Sequence, residues 1–291
     1  MPELPEVEAL ARFVAERAAG LNIERVELAS LSALKTFEPP LRALEGSTLI
    51  GAERRGKYLC ISCAGDGAGP LWLVTHLARA GWLHWRDVAP PGRGRPGRGP
   101  LALRVGLSSG AGFDLTEQGT EKRLAVWVVN DPGSIEGVSR LGPDPLAPGF
   151  DEASLAALLA GLPGQLKGVL SDQSVLAGVG NAYSDEILWA AKLSPFKPAG
   201  RLSPSEVREL HAALVRTLRS AVERSLGMPA AGLKDAKRAG LAVHGRGGEV
   251  CPACGATIKD VHLASRSFQY CPVCQTGGKV LADRRLSRLL K

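Results

Sequence analysis

No stretch of this 291-residue chain approaches the run of about 18 apolar residues that a membrane span requires. The amino terminus carries neither the basic stretch nor the apolar segment of a secretory signal, so a cytoplasmic protein is expected. A disulfide framework is equally out of place. Six cysteines in a cytosolic chain of this length point to metal ligands or core residues. The first 230 residues also lack net charge, with 25 basic and 25 acidic side chains. A hydrophobic content of 45 % over this length suits about two domains with substantial cores.

The charge that is present is concentrated. Residues 231–291 hold eleven Lys/Arg against four Asp/Glu and so carry the entire net charge of +7. A localised basic field suits a polyanion, because phosphate neutralisation releases counterions. Charge alone fits a solvated tail as well.

Cysteine spacing is more specific. Cys251-Pro-Ala-Cys254 and Cys271-Pro-Val-Cys274 are two C-x₂-C pairs separated by sixteen residues. That is the pattern of a zinc ribbon, in which one structural Zn²⁺ held by four thiolates replaces a core too small to stand alone. A closed four-thiolate site leaves no position for catalysis, so this zinc is scaffolding. The third pair, Cys60-Ile-Ser-Cys63, lies in a strand-like run. There, positions i and i+3 point to opposite faces and cannot share a metal.

Four regions follow along the chain: residues 1–133, a Pro/Gly-rich linker at 134–151, a helical domain at 152–242 and the zinc element at 243–291. Val7, Leu10, Ala11 and Val14 predict a helix with Pro5 in its first turn. Short β-type runs at 49–52, 58–63, 71–74, 101–105 and 124–129 predict a β-sandwich or barrel-like domain. Residues 89–100 read as an exposed loop. Helices are expected over 152–162, 165–176 and 182–191. Ser203-Pro204-Ser205-Glu206 is a capping box that opens a long helix ending near Gly227. Between two of the helices, Gly178-Val179-Gly180-Asn181 forms a tight turn. Its backbone N–H groups could approach a phosphate, and Asn181 could cap the next helix or donate to that phosphate.

The start, Met1-Pro2-Glu3-Leu4-Pro5-Glu6, adds chemistry. Removal of Met1 would expose a secondary amine on Pro2. An α-amino group titrates near about 8, leaving a nucleophilic fraction able to form an iminium at an aldehyde-level carbon. Glu3 could serve as general acid/base.

Pro2-Glu3-Leu4-Pro5-Glu6-Val7-Glu8, Arg55-Gly56-Lys57-Tyr58-Leu59, Asp172-Gln173-Ser174, Gly178-Val179-Gly180-Asn181, His244-Gly245-Arg246 and the ribbon ending Tyr270-Cys271-Pro272-Val273-Cys274-Gln275 occur in that order. Together they resemble the formamidopyrimidine-DNA glycosylase/endonuclease VIII family over essentially the whole chain. The resemblance implies an α+β fold: an N-terminal β-sandwich flanked by helices, a helix–two-turn–helix domain and a four-cysteine zinc-ribbon hairpin, with DNA between them. It implies action on damaged DNA, with a nucleoid-associated location expected; a monomer is expected because nothing in the sequence suggests an interface. Pro2 would attack C1′ of a flipped-out nucleotide, with Glu3 as acid/base and Glu6 as helper near the opened sugar. Lys57, His76, Asn181 and Arg246 match phosphate-holding positions, and Arg266 matches the arginine of the zinc-finger hairpin. Base removal would be followed by β,δ-elimination.

Three departures narrow the expectation. Arg79, in His76-Leu77-Ala78-Arg79-Ala80-Gly81, stands where the purine-specific branch carries a methionine wedge. Gln118-Gly119-Thr120-Glu121-Lys122-Arg123-Leu124 replaces the family's Asp-Pro-Arg-Arg-Phe-Gly. Residues 233–243 are too few for the loop that covers 8-oxoguanine. Oxidised or ring-opened pyrimidines, abasic sites or bulky, cross-linked bases are therefore expected over 8-oxoguanine. The alternative is a non-catalytic damaged-DNA-binding protein that keeps the fold; retention of both Pro2 and Glu3 favours the enzyme.

Overall fold

In the computed structural model, which describes residues 1–65, 69–90, 99–262 and 267–281, helix α1 (Leu4–Ala18) begins directly after Glu3. Pro5 lies in its first turn, where a missing N–H costs nothing. Val7, Leu10, Ala11 and Val14 form the buried stripe that the sequence pattern predicts. The chain divides into two compact units. The first comprises Met1–Arg140 and Arg224–Ala236, the second Leu141–Glu223 and the described part of Lys237–Lys291.

The first unit is built from eight strands: β1 (Ile23–Leu28), β2 (Thr48–Arg55), β3 (Tyr58–Ala64), β4 (Pro70–His76), β5 (Gly81–Arg86), β6 (Leu101–Leu107), β7 (Gly112–Glu117) and β8 (Ala125–Val129). They form two four-stranded sheets, ordered β2-β3-β4-β8 and β1-β6-β7-β5, with antiparallel neighbours throughout. Most of the loop expected over 89–100 lies outside the described residues. Alternation along the strands sends Leu59, Ile61 and Cys63 into the same core as Leu73, Leu83, Leu103, Val105, Phe113 and the α1 stripe. Cys60, buried but outside that core, occupies the other face of β3. Helix α1 packs across β2 and β3. The Pro/Gly-rich segment after β8 contains a short helix, α2 (Glu136–Ser139). Gly137 there abuts Tyr58 so tightly that a β-carbon would sit 2.1 Å from the phenol oxygen. The returning segment 224–236 is anchored by the Trp82 indole N–H, which donates to Ala230 O at 2.9 Å, and by wholly buried Leu233.

The second unit holds α3 (Glu152–Leu159), α4 (Leu166–Ser171), α5 (Asn181–Ala190) and the body of α6 (Pro204–Ser225). Ser203 and Glu206 form the expected capping box: Ser203 N–H donates to Glu206 Oε2 at 2.9 Å, and Glu206 N–H to Ser203 Oγ at 3.3 Å. Residues 233–243 contain helix α7 (Leu233–Gly240). An antiparallel hairpin follows, β9 (Lys259–His262) with β10 (Ser267–Tyr270), and then the single turn α8 (Pro272–Thr276). Among the described residues, no helix is long and apolar enough to cross a membrane.

Candidate active site

Pro2, Glu3 and Glu6 gather at the start of α1, and all three are buried, Glu3 and Glu6 with only 2 % and 1 % of their surface exposed. Glu3 N–H donates to Glu6 Oε2 at 2.8 Å, one half of a reciprocal capping box. The aligned peptide dipoles of a 15-residue helix favour negative charge at this end, which offsets part of the cost of burying two carboxylates. One turn on, Glu8 bridges Arg12 at 2.9 Å and the buried Arg54 at 3.1 Å, tying α1 to β2.

Lys57 lies in the tight β2–β3 turn, entered through Gly56 in the left-handed region at φ 56°. Its side chain is buried. The pairing of β3 with β4 sets Tyr58 opposite His76, with ring centroids 5.0 Å apart. Burial, reinforced by the nearby Lys57 ammonium, pulls the His76 imidazole down to about 4. His76 is therefore neutral at physiological pH, a hydrogen-bonding group beside a buried cation. Just beyond, Arg79 is exposed on the turn 77–80 between β4 and β5. Gly81 closes that turn, where any β-carbon would collide with Leu77 O at 2.1 Å.

In the second unit, Asn181 is the first residue of α5 and its side-chain amide donates to Ser267 O at 2.8 Å. Gly180 occupies the N-cap position without a side-chain cap, and Asn181 lies one residue inside the helix. The Gly178 N–H is also engaged, donating to Gln173 Oε1 at 3.0 Å. That amide is used to shape the turn and is not free for a phosphate.

Behind Asn181 lies a polar network that sequence reasoning missed. Lys167 Nζ donates to Asn181 O at 2.6 Å, to Ser184 Oγ at 2.8 Å and to Asp185 Oδ1 at 2.5 Å. The wholly buried Asp185 pairs through Oδ2 with His244 Nδ1 at 2.6 Å and accepts Gln269 N–H at 3.2 Å. Glu186 accepts the N–H groups of Ala242, Val243 and His244 at 2.8–2.9 Å. Burial pushes its carboxyl up, against those three donors. The His244-Gly245-Arg246 segment is thus held from α5 by two consecutive acids. Arg246 itself is half-exposed, pairs with Glu249 at 2.8 Å and donates to Leu241 O at 3.2 Å. Arg266 lies outside the described residues.

The signal for Asp185 and Glu186 was available in the sequence: two adjacent acids in the middle of an otherwise uncharged helical run. Lys167 carries no such mark, and only the fold reveals its partners.

Cys251, Cys254, Cys271 and Cys274 bring their sulfurs within 4.8 Å of one another. The Cys254–Cys271 and Cys251–Cys274 separations are 3.4 and 3.9 Å. A tetrahedron with Zn–S bonds of about 2.3 Å has edges of about 3.8 Å, close to these two separations, so the four thiols can close on one Zn²⁺ with small shifts. The Trp189 indole N–H, 3.4 Å from Cys251 Sγ, and Cys274 N–H, 3.5 Å from Cys271 Sγ, supply donors that thiolates need.

Three family models match the chain in order: the N-terminal domain of formamidopyrimidine-DNA glycosylase over residues 1–118, its H2TH domain over 141–229, and the zinc finger found in FPG and IleRS over 248–277. The formamidopyrimidine-DNA glycosylase of Symbiobacterium thermophilum is 37 % identical over 294 aligned residues, covering 98 % of this chain and 93 % of that protein. The chain belongs to the formamidopyrimidine-DNA glycosylase family. Its fold, with N-terminal β-sheets, an H2TH helical domain and a four-cysteine site consistent with structural zinc, is the family's. An uncharacterized formamidopyrimidine-DNA glycosylase-like protein of Mycobacterium tuberculosis is 58 % identical over 151 residues, 52 % of this chain and 94 % of that protein. The structure of the Lactococcus lactis glycosylase with DNA containing an abasic site superposes with a TM-score of 0.81 at 28 % identity, covering 94 % of this chain and 99 % of that one. A second structure of the same bacterial enzyme, bound to DNA carrying N7-benzyl-Fapy-dG, gives 0.81 at 29 % identity and covers 94 % and 100 %.

Proposed function

We propose that this family member is a bifunctional DNA glycosylase and abasic-site lyase of base-excision repair, acting in the cytoplasm on damaged DNA as a monomer. The observation that carries the reading is the pair of buried carboxylates, Glu3 and Glu6, that follows a buried Pro2 at the start of α1. Burying two acids is costly for folding, and the capping box they form does not require burial, since Ser203 and Glu206 make one at the surface.

With Met1 removed, the Pro2 nitrogen attacks C1′ of the damaged nucleoside, the C1′–base bond breaks, and the departing base takes up a proton. Glu3 is the acid/base, and Glu6 holds the Glu3 backbone. The Pro2 nitrogen gives up its own proton to the departing base, and Glu3 then protonates O4′ as the C1′–O4′ bond breaks; because proline is a secondary amine, the ring-opened adduct is a permanently charged iminium. The iminium acidifies C2′–H, whose proton passes to a general base as the 3′ phosphate leaves, and a second elimination releases the 5′ phosphate. Lys57 supplies a fixed cation and neutral His76 a hydrogen bond to phosphates next to the lesion; Asn181, Arg246 and Arg266 hold others. Arg79 takes the place of an apolar wedge, and 233–240 is taken up by α7. Both features favour oxidised or ring-opened pyrimidines, abasic sites and bulky bases over 8-oxoguanine.

Borohydride trapping on abasic-site DNA tests the chemistry. The processed protein, shown by mass spectrometry to begin at Pro2, should form a covalent adduct. A variant extended by one residue at the amino terminus should form none. Failure of the processed protein to trap, or equal trapping by the extended one, removes Pro2 from the mechanism and leaves a damaged-DNA-binding protein.

A further inference from the structure

Two loops of the first unit carry three exposed cations: Arg79 on residues 77–80, and Lys122 and Arg123 on residues 118–124 between β7 and β8. Pairing of Gly81 with Glu117 sets the loops side by side, and Gln118 N–H donates to Ala80 O at 3.3 Å. Leu124, 2 % exposed, lies directly beneath the first loop, its Cδ1 3.0 Å from where a Gly81 β-carbon would be.

One side chain closes this arrangement. Glu117, only 3 % exposed, accepts Arg123 N–H on both carboxylate oxygens at 2.9 Å and Leu124 N–H at 3.0 Å. The Lys122 ammonium donates to the Glu117 carbonyl oxygen. The carboxylate is thus committed to backbone amides of the loop and not to any of the three cations. On the facing loop Ala78 is held at φ 50°, in the left-handed region that a residue with a β-carbon enters at a cost of about 1–2 kcal/mol. Strain and a buried carboxylate side by side on surface loops mark a shape that is maintained against a cost.

We propose that Glu117 is a positioning residue that fixes the loop of Lys122 and Arg123 beside Arg79, so that the three present one preorganised cationic edge to duplex DNA. The inference rests on the DNA-repair reading above, in that it takes duplex DNA as the ligand. Loops already ordered in the free protein lose less entropy on binding than mobile ones, and guanidinium groups both pair with phosphates and stack on bases.

Positioning and simple electrostatics predict opposite signs. Binding of the full-length protein to a duplex containing a tetrahydrofuran abasic analogue is measured by anisotropy across a range of salt. Replacing Arg79, Lys122 and Arg123 together by alanine should flatten the salt dependence, by about 0.9 in log–log slope for each phosphate no longer neutralised. Glu117→Gln keeps every cation and removes one negative charge, so charge alone would tighten the complex. Positioning predicts weakening of about ten-fold, the effect of forfeiting preorganisation. Glu117→Asp, one methylene too short to reach the amides, should weaken it similarly. In the triple-alanine background Glu117→Gln should add nothing.

Unchanged or tighter binding by folded Glu117→Gln, or the same further loss in the triple-alanine background, overturns the proposal. If neither Glu117 variant folds, amide exchange on the wild type decides. Protected Arg123 and Leu124 amides in the free protein support a fixed loop, and unprotected ones refute it. Trapping through Pro2 is read separately on single-stranded abasic DNA, so loss of the catalytic reading would be seen independently of the duplex-binding result.

Discussion

Lys167→Met is the substitution most exposed to refutation. The lysine side chain is 9 % exposed and its partner Asp185 0 %, so the pair is shielded from water. Methionine fills a similar volume but removes three donated bonds, to Asn181 O, Ser184 Oγ and Asp185 Oδ1. Among the described residues, Asp185 then keeps His244 and the Gln269 N–H. Breaking a buried ion pair from one side costs about 3–5 kcal/mol, and the surviving partners place this case at the low end, about 3 kcal/mol. For a unit of this size that corresponds to a fall of about 10 °C in the unfolding temperature of the second unit, read by scanning calorimetry. Adding Asp185→Asn removes the charge that lacks a counterion, so the double variant should recover about 1 kcal/mol relative to Lys167→Met alone. A loss under about 0.5 kcal/mol, or strictly additive single effects, would show that the network is not a coupled buried unit.

Three further outcomes are expected. His76 titrates near about 4 in the folded chain against 6.5 when free, so between those values the unfolded chain binds the extra proton. Its contribution to stability, about 3 kcal/mol from the shift, is complete above pH 6.5 and is lost as pH falls toward 4. His76→Gln should accordingly flatten the pH dependence of urea unfolding in that window, and an unchanged profile would contradict it. Removing the metal by chelation should melt the ribbon and alter Trp189 emission, because its indole sits 3.4 Å from Cys251 Sγ; added zinc should restore both, and emission indifferent to verified metal loss would exclude a metal at these thiols. Ala78→Gly should raise stability by about 0.5–1 kcal/mol in chemical denaturation, the relief of left-handed strain exceeding the entropy that glycine adds to the unfolded chain; destabilisation would mean that the φ of 50° is not a strain.

Much of the architecture is written in local patterns. The α1 stripe, the apolar strands β2, β3, β4, β6 and β8, the Ser203–Glu206 capping box and the paired C-x₂-C knuckles each follow from periodicity, capping chemistry or ligand spacing within a few residues. Strand β7 is a contrast. Phe113 and Leu115 alternate with Asp114 and Thr116, a pattern that predicts one wet face, yet all of its residues are buried. Its acids are tolerated because Arg86 and Arg104 reach Asp114 at 2.7–3.1 Å and loop amides reach Glu117. The arginines lie in other strands and the Glu117 amides in a loop whose path no capping or periodicity rule describes, so no local rule could anticipate them.

The same division runs through the candidate site. Local sequence chemistry marked Pro2, Glu3 and the four cysteines as candidates, since each lies in a short pattern whose chemistry depends on neighbouring residues, whereas His244-Gly245-Arg246 stood out only through the family resemblance. Tertiary structure alone decided that His76 is neutral beside Lys57, that the Gly178 amide is consumed by Gln173, and that Lys167, Asp185 and Glu186 hold the motif from behind. The reason is physical. Desolvation and ion pairing depend on which side chains long-range packing places together, whereas helix caps and metal knuckles depend on residues only a few positions apart.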